Sequence, residues 1–325
     1  MTNSHIWTKY WQADRTASCF DAQGGNYEGA IKAFWEHIFS NTPPNYRCLD
    51  LCTGNGAVPL IGSEVSKKLS LKLDLNGIDQ ANISPKDYVS NQQNLYDDIH
   101  FTAKGNVEKL PFDDMSFDFV SSQFGVEYTS LSKTLNSAVR VLKSGGGICF
   151  VMHAKEGTVR AASEHDVNEC RFLLDHSRLF QITVKTLQTL SQTEGPTATM
   201  PRKSRVRIGK AVKEFESAIN MVKEREQNSR SSMHANAWRV CLDTVNKRQH
   251  FSLGVLIAKI NETQAEVTAH RGRLAALVKS SQSQANMTNI TQKLTELGMI
   301  DVETEPLKHK DTQALIAWVV RARKP

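Results

Sequence analysis

Residues 49–56 read Leu49-Asp50-Leu51-Cys52-Thr53-Gly54-Asn55-Gly56. An apolar run carrying one acid leads into a turn with two glycines, and an apolar, helix-compatible stretch follows. Glycines let the backbone turn sharply and approach a ligand closely, and the N-terminus of the following helix favours polar or anionic groups. Strand, glycine turn and helix in this order predict a nucleotide-type pocket at the edge of a parallel sheet. The spacing differs from the G-x-G-x-x-G of dinucleotide sites, because Asp50 precedes the first glycine by four positions.

Working outward, the apolar residues Ile31, Phe34, Trp35, Ile38 and Phe39 fall on one face of a helix over 27–40, which Pro43-Pro44 ends. Strands are expected at 47–51, 73–78, 100–103, 117–122 and 148–153, with helices over 57–69 and 130–143 and a turn at 143–147. Strands alternating with helices indicate βαβ units and a parallel sheet. After His153 the alternation stops, and the pattern is helical to about residue 290. Ile208, Val212, Phe215, Ile219 and Val222 recur at steps of four and three; Leu253, Ile257, Ile260, Val267, Leu274 and Val278 nearly so. Gln264 and Arg271 fall on that second seam and Gly272 interrupts it, which suits a helical subdomain better than a zipper. The α/β pattern resumes with a strand at 300–302 and a final one at 313–323. The expected organisation is therefore one α/β core, residues 1–154 and 291–325, with a helical insertion at 155–290.

With 325 residues, 40% hydrophobic and 23% charged, the chain has the composition of a folded globular protein. No stretch approaches the ~20 apolar residues of a membrane span, and the N-terminal MTNSHIWTKYWQADR lacks the pattern of a secretory signal. Six scattered cysteines without a C-x-x-C pair predict a reducing, cytoplasmic setting and no metal site. The net charge of +6 is uneven: residues 155–290 hold 21 basic and 13 acidic side chains, so the remainder is slightly acidic.

The run Leu49–Gly56 resembles motif I of the class I S-adenosylmethionine (SAM)-dependent methyltransferases. Asp79, followed by Gln80, is similar to that family's ribose-binding acid, and Gly105-Asn106-Val107-Glu108-Lys109-Leu110-Pro111-Phe112 to its adenine segment. Ser116–Val120 resembles the fourth-strand motif, and Leu142–Gly146 the turn before the fifth strand. The terminal QALIAWVVRAR is similar to the reversed seventh strand. Two positions depart: Cys52 stands where the first motif glycine is usual, and Asn106 where an aspartate is commonest. The resemblance implies a Rossmann-like α/β fold with a seven-stranded, mostly parallel sheet and a large helical insertion between the fifth and sixth strands. It implies SAM as cofactor and S-adenosyl-L-homocysteine as product. Asp50, Cys52, Gly54, Gly56 and Gln123 would bound the methionine end, Asp79 the ribose, and Asn106 and Val107 the adenine, with Gln80 also among the cofactor-binding residues.

The segment Ser121–Tyr128 lacks the N/D-P-P-Y/F signature of planar-amine methylation and resembles small-molecule methyltransferases, the quinone-biosynthesis group among them. Tyr27, Phe124 and Tyr128 are candidates to enclose an acceptor. His153, or Glu127, is a candidate general base where the acceptor must lose a proton. Trp7, Tyr10, Trp11, Phe20 and Tyr27 form a candidate lid. The cluster Arg202-Lys203-Ser204-Arg205-Val206-Arg207 fits a solvated face, or a dock for an anionic group or RNA. The insertion reads as a cap or a dimerisation arm. A small-molecule acceptor leads; RNA or protein methylation and a non-catalytic SAM-binding protein remain alternatives, with nucleic acid and membrane not expected as partners.

Overall fold

The computed structural model describes residues 3–18, 25–90, 93–192, 200–229 and 233–325. The chain divides into two compact units, Met1–Ala161 with Leu277–Pro325, and Ala162–Ala276.

The first unit is built on seven strands: β1 (Arg47–Leu51), β2 (Asp74–Ile78), β3 (Ile99–Thr102), β4 (Phe117–Gln123), β5 (Leu142–His153), β6 (Ile300–Lys308) and β7 (Leu315–Arg323). They lie in the order β3-β2-β1-β4-β5-β7-β6. All pairs among the first five are parallel, and β7 runs antiparallel to both neighbours. This is the mostly parallel, seven-stranded Rossmann-like sheet expected from the sequence. Two bounds differ. The stretch 143–147, expected as a turn, belongs to β5, with a register shift between Phe117 and Phe119 of β4. The sixth strand extends to Lys308, well past the expected residue 302. Its residues are largely exposed, so the apolar pattern that would have announced it is missing.

Strand alternation feeds two helical layers. In β5, Cys149 and Val151 join Trp35 and Phe39 of α2 (Gly29–Ser40) and Leu60 and Ile61 of α3 (Ala57–Leu69). Ile148, Phe150 and Met152 face the other way, onto Leu135 and Val141 of the helix Leu131–Val141 and onto Met287, Ile290 and Leu294 of the helix Gln284–Glu296. The N-terminal α1 (Asn3–Trp11) packs separately, with Trp11 against Ala81 and Ile83. The C-terminal ends of β1, β2 and β4, where open parallel sheets place their ligands, therefore carry the decisive residues.

The second unit is helical. Its core joins Leu173, Phe180, Phe215, Ile219, Cys241 and Ile260. The helix Leu253–Ser280 runs unbroken through Gly272. Glu169, buried, accepts two hydrogen bonds from the Arg225 guanidinium at 2.9 and 2.6 Å. The helix Arg202–Asn228 has buried residues only from Ala211 onward, leaving Arg202, Lys203, Arg205, Arg207 and Lys210 exposed. Among the described residues, no helix is long and apolar enough to cross a membrane.

Candidate active site

At the end of β1 the chain turns through Cys52–Gly56 into α3. Gly54 and Gly56 hold φ of +54° and +82°, the left-handed conformation that side chains disfavour. The Gly54 N–H donates to Asp79 Oδ2 at 2.8 Å and the Ala81 N–H to Asp79 Oδ1 at 2.7 Å. The acid at the end of the second strand is thus fixed by the turn after the first. Each of its oxygens accepts one of these bonds and keeps a second lone pair for a ligand hydroxyl. Burial pushes this carboxyl up, and the two N–H donors oppose it.

Asp50 sits opposite Gly77 of β2 and Ser121 of β4. Its Oδ1 accepts the Ser121 hydroxyl at 2.7 Å. Burial dominates its titration and raises the carboxyl to about 7; the Ser121 and Thr53 hydroxyls pull it down, and the Asp79 charge adds to the rise. Gln123, at the end of β4, accepts the Trp35 indole N–H on Oε1 at 2.7 Å, while its buried Nε2 has no partner.

These groups open on one cleft of about 260 Å³. Of the residues expected to bind cofactor, Asp50, Cys52, Asp79, Gln80, Asn106, Val107 and Gln123 line it, and so do all three acceptor candidates, Tyr27, Phe124 and Tyr128. Gly54 and Gly56 shape the turn without lining the cleft. A Cβ on Gly54 would come within 2.3 Å of the Trp11 ring, so the turn is glycine partly because α1 lies on it. Asn55 ties that segment down, its Nδ2 donating to the carbonyls of Trp11 and Arg15 at 2.8 and 2.7 Å. Trp7 and Trp11 line the cleft and stack at 6.1 Å, and Trp7 meets Tyr128 edge-on at 5.9 Å. Phe20, a lid candidate, lies outside the described residues.

Both departures from the usual motifs have local accounts. Cys52 holds φ +55°, a glycine-like conformation, and Gly125 makes room for it: a Cβ there would lie 2.4 Å from the Cys52 Cβ. Burial raises the Cys52 thiol well above its ordinary value, which keeps it protonated. Asn106 uses Oδ1 to accept the Glu108 N–H at 2.9 Å, capping the short turn Val107–Lys109.

Glu127 and His153, the candidate bases, are brought together but away from the cleft, which neither lines. Glu127 Oε1 accepts both the backbone N–H and Nδ1–H of His153, at 3.0 and 2.7 Å. The imidazole stacks on Phe124 at 4.0 Å and 19°, so the aromatic ring stands against it. Phe124 itself has φ +54°. The pair thus lies behind Phe124, a residue of the cleft wall.

Sequence reasoning did not single out Thr16, Ala17, Val58 or Ala81, which also line the cleft. They are small or apolar and belong to no motif. It read Trp35 only as one residue of an apolar helix face, and nothing in that periodicity marks its N–H. Among the described residues, no cluster of three metal-ligating side chains occurs.

The residues present fit SAM. Two acids, one poised on each of two neighbouring strands, suit hydroxyls and an ammonium; Val107 and Ala81 are apolar surface for a base; the unpartnered Gln123 Nε2 is a donor awaiting an acceptor. The sequence profile of the ubiE/COQ5 methyltransferase family matches residues 29–190, about half of the chain. Over these residues the chain is similar to the ubiE/COQ5 methyltransferases. It is similar to the ubiquinone/menaquinone biosynthesis C-methyltransferase UbiE of Rickettsia prowazekii (strain Madrid E), 29% identical over 153 residues, covering 45% of this chain and 61% of that protein. The corresponding enzyme of Rickettsia bellii (strain OSU 85-389) is 31% identical over 135 residues, 40% of this chain and 54% of that protein. The chain thus spans between 54% and 61% of these relatives' length. A solved geranyl diphosphate C-methyltransferase from Streptomyces coelicolor A3(2) aligns with a TM-score of 0.34 at 15% identity, over 47% of this chain and 66% of that one. The methyltransferase match ends at residue 190, so neither most of the helical unit nor the strands β6 and β7 fall within it.

Proposed function

We propose that this chain transfers the methyl group of SAM to a small-molecule acceptor held against Tyr27, Phe124 and Tyr128. The observation that carries the reading is that one cleft gathers the polar groups suited to SAM, Asp50, Asp79 and Gln123, and the aromatic wall suited to a flat, weakly polar acceptor. The C-methyltransferase activity of the UbiE relatives supports carbon as the methylated atom.

SAM supplies an activated methyl on a sulfonium. Held by Asp79, Asp50 and Gln123, it would supply that methyl for in-line displacement by the acceptor's nucleophilic atom, with S-adenosyl-L-homocysteine as the product. The chain's own part is alignment and exclusion of water. Asp79 takes the ribose hydroxyls, and Asp50, ionised, faces the ammonium. Trp7 and Trp11, the latter held through its carbonyl by Asn55, would keep solvent from the cleft. Neither His153 nor Glu127 lines the cleft, so neither is assigned the proton that a carbon acceptor must lose.

The test is incubation of the purified chain with methyl-labelled SAM and a cell extract, followed by separation of small molecules, RNA and protein. Label in an organic-extractable small molecule is expected. Label confined to RNA or protein would replace this reading by one in which the exposed basic start of the helix Arg202–Asn228 docks a macromolecule. Binding of SAM with no transfer to any fraction would make the chain a SAM-binding protein instead.

A further inference from the structure

We infer that Trp35 is a positioning residue: its indole N–H locks the Gln123 amide so that Nε2 presents its hydrogens to the carboxylate of the SAM amino-acid tail. The inference rests on the SAM reading above.

An amide side chain can face either way, and a neighbour's chemistry decides which. An indole nitrogen donates and never accepts, so only the Gln123 carbonyl oxygen can face Trp35, at 2.7 Å. The NH2 group is thereby the end of the amide that Trp35 does not hold. Trp35 is fully buried in the layer formed by α2 and α3. Gln123 is itself 7% exposed, lines the cleft, and leaves Nε2 buried without a partner. A buried donor without an acceptor costs free energy, and a ligand oxygen removes that cost.

The position along the sheet says which oxygen. Reading β2, β1, β4 in their spatial order, the strand ends offer an acceptor at Asp79, an acceptor at Asp50 and a donor at Gln123. SAM offers hydroxyls, then an ammonium and a carboxylate on one carbon at its far end. Acceptors meet donors and the donor meets the anion. Among the described residues lining the cleft there is no Lys or Arg, so a neutral amide of fixed orientation takes the place of a cation.

The experiment compares calorimetric affinities for S-adenosyl-L-homocysteine and for 5′-methylthioadenosine, which lacks the amino-acid portion, in wild type, Gln123→Met, Trp35→Phe and the double variant. Gln123→Met should weaken S-adenosyl-L-homocysteine about 10- to 100-fold, as for loss of a hydrogen bond to a charged group, and leave 5′-methylthioadenosine within about twofold. Trp35→Phe should weaken S-adenosyl-L-homocysteine selectively but less, and the double variant should be no worse than Gln123→Met alone, since both act through one contact. Gln123→Glu keeps an acceptor for Trp35, preserving the fold, and sets a carboxylate against the tail; it should lose S-adenosyl-L-homocysteine and retain 5′-methylthioadenosine. Equal effects on both ligands, or on neither, overturn the inference. Failure of the wild type to bind either would instead overturn the SAM reading beneath it.

Discussion

Asp50→Asn should separate the stability of this protein from its hold on SAM, with opposite signs at pH 8. Asp50 is 4% exposed and its carboxyl is raised from 3.8 to about 7, chiefly by burial. Between roughly pH 4 and pH 7 the unfolded chain carries this group ionised while the folded protein holds it protonated. The folded state binds more protons, so stability falls as pH rises through that window and is flat, for this group, above and below it. A difference of about 3 units corresponds to about 4 kcal/mol. At pH 8 the ligand-free protein carries that cost in full. Asparagine removes the charge and keeps an oxygen to accept the Ser121 hydroxyl, so the variant should melt several degrees higher at pH 8 and about the same as wild type near pH 4.

SAM binding should behave inversely. The ammonium of its tail selects ionised Asp50, so the wild-type Kd should be level above pH 7 and rise towards tenfold per pH unit below it. Asp50→Asn should bind about 10- to 100-fold more weakly at pH 8, by loss of a charge-assisted contact, and lack this pH dependence. Titration calorimetry and thermal melts across pH 5–8.5 measure both. An identical slope in wild type and Asp50→Asn would assign the proton to the ligand and refute the argument, as would a variant no more stable than wild type at pH 8.

Asp79→Ala should weaken SAM at least tenfold by calorimetry, because it removes the ribose acceptor and also releases the Gly54 and Ala81 N–H groups it holds. Gly125→Ala should cost about 1–3 kcal/mol in chemical denaturation, its Cβ meeting Cys52 at 2.4 Å, and most of that should return in Gly125→Ala with Cys52→Gly; the same loss in both backgrounds would show that the contact is not the cause. Gly54→Ala should likewise lower the melting temperature and shift tryptophan fluorescence, with Trp11→Ala relieving it. Charge reversal at Arg202, Arg205 and Arg207 should leave SAM affinity and small-molecule methylation within about twofold, and a loss of labelled RNA or protein in extract would count for the macromolecular alternative.

The sheet was legible because burial on both faces imposes alternation or continuous apolar runs, and the first five strands carry them. β6 was legible only in its first three residues, since an exposed strand at the sheet's edge needs no such pattern. At the site, Asp50, Asp79 and Gln123 could be placed from sequence because each lies within one residue of the end of a strand that the pattern already defined. His153 was placed correctly at the end of β5, but its neighbour in space was not legible. The left-handed turn at Phe124 sets that ring on the imidazole, and no spacing in the sequence announces a positive φ at a phenylalanine.

The departures from motif are where structure adds most, because each is compensated by a residue far away in sequence. A cysteine in a glycine's place is tolerable only if another position yields its Cβ, and Gly125, 73 positions later, does so. The Asp79 carboxylate is held at the cleft because the turn at Gly54, 25 residues earlier, gives an N–H to orienting it. A glutamine becomes a donor in the cleft because a tryptophan 88 residues before it can only donate. In each case the chemistry of one side chain is set by the hydrogen-bonding or steric capacity of another on a neighbouring element. A motif records the residue that meets the ligand; the sheet order β2-β1-β4 and the layer of α2 decide which way that residue points.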